Sequence, residues 1–88
     1  MNQSILFPDV QNWDEERQAV VFPAQQSGAL IECVVAASEL AKLSGQPVCG
    51  AQQAVDAFTG LRFDLEELAE ALIEDEEFNP FGQIEIIS

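Results

Sequence analysis

Residues 17–36 read Arg17-Gln18-Ala19-Val20-Val21-Phe22-Pro23-Ala24-Gln25-Gln26-Ser27-Gly28-Ala29-Leu30-Ile31-Glu32-Cys33-Val34-Val35-Ala36. Two runs of strand-type residues, 17–25 and 29–36, meet at Ser27-Gly28 and predict a β-hairpin. A two-residue Ser27-Gly28 loop places Ala24 opposite Ile31, Phe22 opposite Cys33 and Val20 opposite Val35, so one face is apolar throughout. The other face pairs Pro23 with Glu32, Gln25 with Leu30 and Val21 with Val34, a mixed set suited to partial cover. Slipping one strand by one residue would bring Gln18 and Glu32 into the core, which argues for the register given. Pro23 has no N–H to give the ladder, so its strand is expected to be an edge there, or bulged.

On the N-terminal side, Ile5-Leu6-Phe7 followed by Pro8-Asp9 and the polar stretch 12–16 reads as one short edge strand and a turn. Beyond the hairpin the apolar period becomes helical. Ser38 is the expected N-cap of a short helix over 39–44, ended by Gly45 and Pro47. A second helix over about 48–59 puts Ala51, Ala54, Val55 and Phe58 on one stripe and stops at Gly60. A third opens at Asp64, with Glu67 at capping-box spacing, Phe63 and Leu68 as a hydrophobic staple, and Leu65, Leu68, Ala69, Leu72 and Ile73 as its buried stripe. The chain then turns through residues 78–82, and 83–87 alternate as a final strand. There is no internal repeat and no linker.

The order β-β-β-α-α-α-β predicts an α+β, two-layer domain. A small, mostly antiparallel sheet, made of the N-terminal hairpin plus the C-terminal strand, would be covered by two to three helices. Eighty-eight residues support one hydrophobic core, so residues 1–88 are expected to form a single compact domain. An apolar content of 48% is ordinary for a folded chain and argues against disorder despite the charge.

That charge excludes more than it suggests. Sixteen acidic side chains against Arg17, Lys42 and Arg62 give a formal charge of −13, and there is no histidine or tyrosine. Three scattered cations cannot form the basic cluster that binds nucleic acid, and an anionic membrane surface is an equally poor partner. Without histidine, acid–base or triad chemistry would need rarer groups, so no catalytic residue is assigned. No apolar run approaches a membrane span of roughly 18 residues. The N-terminus carries neither a basic region nor a secretory apolar core, which makes a cytoplasmic location the expectation. Cys33 and Cys49 are too few for a disulfide framework and lack metal-site spacing, so neither metal nor other cofactor is expected and both are read as reduced.

The residues Val21-Phe22-Pro23-Ala24, Gly28, Ile31-Glu32-Cys33 and Arg62-Phe63-Asp64-Leu65-Glu66-Glu67-Leu68-Ala69 resemble a family of short, acidic, uncharacterised bacterial proteins classed only as a domain of unknown function. The resemblance runs from Trp13 to about Ile73. It implies a compact stand-alone domain and carries over no substrate, cofactor or catalytic residue.

The remaining functional signal is the third helix. Asp64, Glu66, Glu67, Glu70, Glu74, Asp75, Glu76 and Glu77 hold half of the carboxylates, and no cation follows Arg62. Glu66 with Glu70 and Glu70 with Glu74 are like-charge i,i+4 pairs costing roughly 0.2–0.5 kcal/mol each, and the last acidic cluster opposes the helix dipole. A solvated face that keeps a small domain dispersed would have the same composition. The functional reading is a non-enzymatic accessory or protein-interaction domain that docks a basic protein through Glu66, Glu70 and Glu74. The alternatives are a DNA-mimic inhibitor, or a small cysteine-dependent enzyme or redox protein using Cys49 at the start of the second helix. Trp13 is read as a lid on the core beside the hairpin. The run 74–77 lacks the alternating ligands and central glycine of a calcium loop. Oligomeric state is left open by the sequence.

Overall fold

A computed structural model describes residues 5–87. Its elements are β1 (Ile5–Leu6), β2 (Asn12–Asp14), β3 (Ala19–Gln26), β4 (Ala29–Ala36), α1 (Ala37–Ser44), α2 (Gly50–Gly60), α3 (Arg62–Glu74) and β5 (Ile84–Glu85). The fold is α+β, with a five-stranded, mostly antiparallel sheet and three helices. The hairpin has the register expected from its alternation: Ala24 faces Ile31, Phe22 faces Cys33 and Val20 faces Val35. Ser27 and Gly28 both take positive φ, 51° and 83°, the backbone of a type I′ turn whose twist matches the strands.

Strands β1 and β2 both pair with β3, β1 at Gln25–Gln26 and β2 at Ala19–Val21. Pro23 lies in the gap between them, so β3 is locally an edge where it lacks a donor. The single N-terminal strand and turn therefore become two short strands, and the order is β-β-β-β-α-α-α-β. Asn12–Asp14 escaped the strand reading because only Trp13 of the three is apolar. Trp13 packs on the core, and its Nε1 donates to Glu15 Oε1 at 2.7 Å.

Other boundaries differ for local reasons. The first helix begins at Ala37, directly from β4, and Ser38 makes no cap. Gly45 closes it at φ 73°, donating to the Ala41 carbonyl at 2.9 Å. The second begins at Gly50, and of its expected stripe Ala54 and Phe58 are buried, Val55 is half-buried and Ala51 is exposed. The last strand is confined to Ile84–Glu85 and runs parallel to β4. Three helices cross the sheet between β4 and β5, as a parallel neighbour requires.

The core lies between one sheet face and the helices. Val20, Phe22, Ala24, Ile31, Cys33, Val35, Ile84 and Ile86 meet Leu40, Ala54, Phe58, Leu65, Ala69 and Ile73. Phe22 is its hinge, with ring centroids 5.0 Å from Phe58 and 6.3 Å from Phe7.

Candidate functional site

The acidic helix α3 follows α2 with one residue between them. Leu61 closes α2, donating to the carbonyls of Ala57 (3.0 Å) and Phe58 (3.1 Å), while its own carbonyl accepts from the Leu65 N–H at 2.9 Å. That elbow starts α3 at Arg62, two residues before Asp64. The expected capping box is therefore not formed: Asp64 sits inside the first turn, where its charge still suits the dipole. The staple fails as well, since Phe63 is 81% exposed. Leu65, Ala69 and Ile73 form the buried stripe, with Leu68 and Leu72 partly buried beside it.

Glu66, Glu70 and Glu74 begin beside this stripe and leave it. A four-residue step advances about 40° around a 3.6-residue helix, so Glu66 and Glu70 are half-buried and Glu74 is exposed. The structure does not make the three equivalent. Arg62 Nε donates to Glu66 Oε2 at 2.9 Å, with side chains 22% and 20% exposed respectively. The same guanidinium reaches Asp9 Oδ1 at 2.7 Å and the Pro8 carbonyl at 2.9 Å. Arg62 thus clamps the segment after β1 onto the start of α3. Among the described residues, Glu66 is the α3 carboxylate paired with a cation, and Glu70 and Glu74 are not.

The end of α3 adds conformational strain to charge. The N–H groups of Glu76 and Glu77 donate to the carbonyls of Ile73 and Leu72, both at 3.0 Å, which closes a Schellman motif. Its left-handed residue is Glu76, at φ 57°, a position that favours glycine. Asp75, Glu76 and Glu77 also stand at the negative end of the helix dipole.

The cysteines separate as the register implies. Cys33 is buried on the core face of β4, and burial pushes its thiol up to about 12. Cys49 is free, exposed and at the N-cap of α2, where its backbone N–H donates to Gln53 Oε1 at 2.9 Å. Among the described residues no three Cys, Asp or Glu side chains converge to hold a metal ion, and no helix is long and apolar enough to cross a membrane. The Arg62 clamp is not legible in the sequence. Its one local signal was Glu66 four residues on, while Asp9 lies 53 residues away.

Residues 5–86 match the family described as "Protein of unknown function (DUF1488)". The chain belongs to that family. It is 36% identical over 85 residues to the uncharacterized protein YrdB of Escherichia coli (strain K12), covering 96% of each chain. It is 35% identical to YrdB of Shigella flexneri, with the same coverage. The crystal structure of a DUF1488-family protein of unknown function from Shewanella loihica PV-4 is similar throughout. Its TM-score is 0.93 at 41% identity, covering 98% of this chain and 94% of that one.

Proposed function

We propose that this domain is a non-enzymatic accessory module that docks a basic protein on the acidic face of α3. The observation that carries the reading is the charge at Glu70 and Glu74, unpaired with any cation among the described residues and continued through Asp75, Glu76 and Glu77 at a helix end where the dipole disfavours negative charge. Such a field steers a cationic partner and repels anionic ones. Glu66 is assigned a different part: tied to Arg62, it holds the α3 start in place, and Glu70 and Glu74 face the partner. A cytoplasmic setting is proposed with it, in keeping with two free cysteines.

The test is native affinity capture from lysate with wild type and with Glu70→Gln/Glu74→Gln, a variant that leaves the Arg62 clamp intact. One basic protein is expected to be lost selectively, and the loss should shrink as salt rises. Equal capture, with only a lower solubility of the variant, would show that the charges serve dispersion alone.

A further inference from the structure

Beside the acidic face lies a groove of mixed apolar and acidic lining. Ile5, Phe7 and Phe63 line it together with Asp64, Glu66, Glu67 and Glu70, and it is an open depression of about 370 Å³. One wall is the segment leaving β1, held against α3 by the contacts of Arg62 with Asp9 Oδ1 and the Pro8 carbonyl. The other is the first two turns of α3. Phe63 is anchored by its backbone at the start of that helix yet its ring is 81% exposed, on a face where polar side chains are the rule. With Glu66 Oε2 engaged by Arg62, the rim offers the carboxylates of Asp64, Glu67 and Glu70 to an incoming group.

We infer that this groove is the docking site for a basic amphipathic segment of a partner protein, with an apolar side chain against Ile5, Phe7 and Phe63 and flanking Lys or Arg on Asp64, Glu67 and Glu70. The inference rests on the proposed interaction role and specifies where and how the contact is made. Charge complementarity decides the occupant. A second copy of this −13 chain would set carboxylates against carboxylates, and nucleic acid or an anionic membrane would be repelled by the same rim. Charge alone would recruit any polycation. The exposed aromatic beside the rim demands an apolar group in register with the cations, the pairing that an amphipathic helix presents at i, i+3 and i+4. Phe63, Glu67 and Glu70 stand at i, i+4 and i+7 on α3, so the aromatic and the two carboxylates share one stripe of the helix.

The probes are two fluorescein-labelled peptides of identical Leu, Lys and Ala composition. One is ordered as an amphipathic helix, and the other is scrambled so that its apolar residues are dispersed. Fluorescence anisotropy at about 0.15 M salt, where exposed charges are screened beyond ~8 Å, should show the amphipathic peptide binding wild type roughly tenfold more tightly than the scrambled one. Phe63→Ser should erase that tenfold preference while leaving urea stability unchanged, because the ring is already in solvent. Glu70→Gln should weaken both peptides. Equal binding of the two peptides, indifferent to Phe63→Ser and still weakened by Glu70→Gln, would overturn the groove and leave the acidic-face reading standing. Failure of both peptides to bind wild type would overturn the groove and the acidic-face reading together. Sedimentation of wild type as a dimer that Phe63→Ser converts to monomer, with the peptide excluded, would overturn the basic occupant in favour of a second copy.

Discussion

Arg62→Met removes the clamp's charge while keeping an aliphatic stem in its place. Three contacts are lost: Glu66 at 2.9 Å, Asp9 at 2.7 Å and the Pro8 carbonyl at 2.9 Å. Hydrogen bonds involving a charged group contribute about 1.5–3 kcal/mol when shielded, and Glu66 and Arg62 are each only about one-fifth exposed. The Asp9 contact adds little, about 0.2–1 kcal/mol, since that carboxylate is 93% exposed. Two effects oppose the loss. Removing a cation from the first position of α3 relieves about 0.3–1 kcal/mol of unfavourable dipole interaction. The released Pro8 carbonyl can also be rehydrated. The net expectation is a destabilisation of about 1–3 kcal/mol, read by urea unfolding with Trp13 fluorescence. Arg17→Met is the control, because it deletes the same charge from a surface hydrogen bond to Gln83 Oε1 at 3.1 Å. General charge repulsion then cancels in the comparison. If the two variants agree within about 0.5 kcal/mol, the limit of ordinary additivity, the clamp reasoning fails.

Phe22→Ala should destabilise by about 3–5 kcal/mol, since a buried ring that touches both Phe58 and Phe7 leaves a cavity, whereas a loss below that range in urea unfolding would mean the site collapses around the gap. Alkaline stability should be governed by Cys33: its thiol rises from 9.0 to about 12 on folding, so the folded state holds the proton more tightly between those values. This contribution is whole below about pH 9, falls by at most about 1.4 kcal/mol per pH unit between about 9 and 12, and levels off above that. With no tyrosine and one lysine in the chain, Cys33→Val should visibly flatten that slope, and a slope that persists would assign it elsewhere. Glu76→Gly should raise the melting temperature, gaining about 1 kcal/mol from a left-handed residue without a Cβ, and an unchanged or lower value would show that the Schellman turn is not strained.

The hairpin was legible to the residue because a period of two, an apolar face and Ser27-Gly28 all specify one register. Even the gap at Pro23 followed from its missing donor. What stayed hidden was set by contacts distant in sequence. Asn12–Asp14 become a strand only because β3 is there to pair with, and alternation in residues 83–87 gives a face but not a direction. At α3 the expected cap assumed a free helix start, whereas the Leu61 elbow imposes an earlier one and turns Phe63 outward. The candidate site was legible as composition: the acidic run marks the helix. Its division of labour was not, because Arg62 selects Glu66 through geometry that also involves Pro8 and Asp9, more than fifty residues away.

The proposed role of the Glu70 and Glu74 carboxylates is to draw a cationic partner to α3. The association rate of the amphipathic Leu/Lys/Ala peptide, followed by stopped-flow fluorescence over a salt series, tests it most directly for wild type against Glu70→Gln/Glu74→Gln. Electrostatic steering predicts a wild-type rate that falls steeply with salt, and a variant that is slower at low salt with a shallower dependence, the two converging as screening becomes complete. Identical rates and identical salt slopes would contradict it.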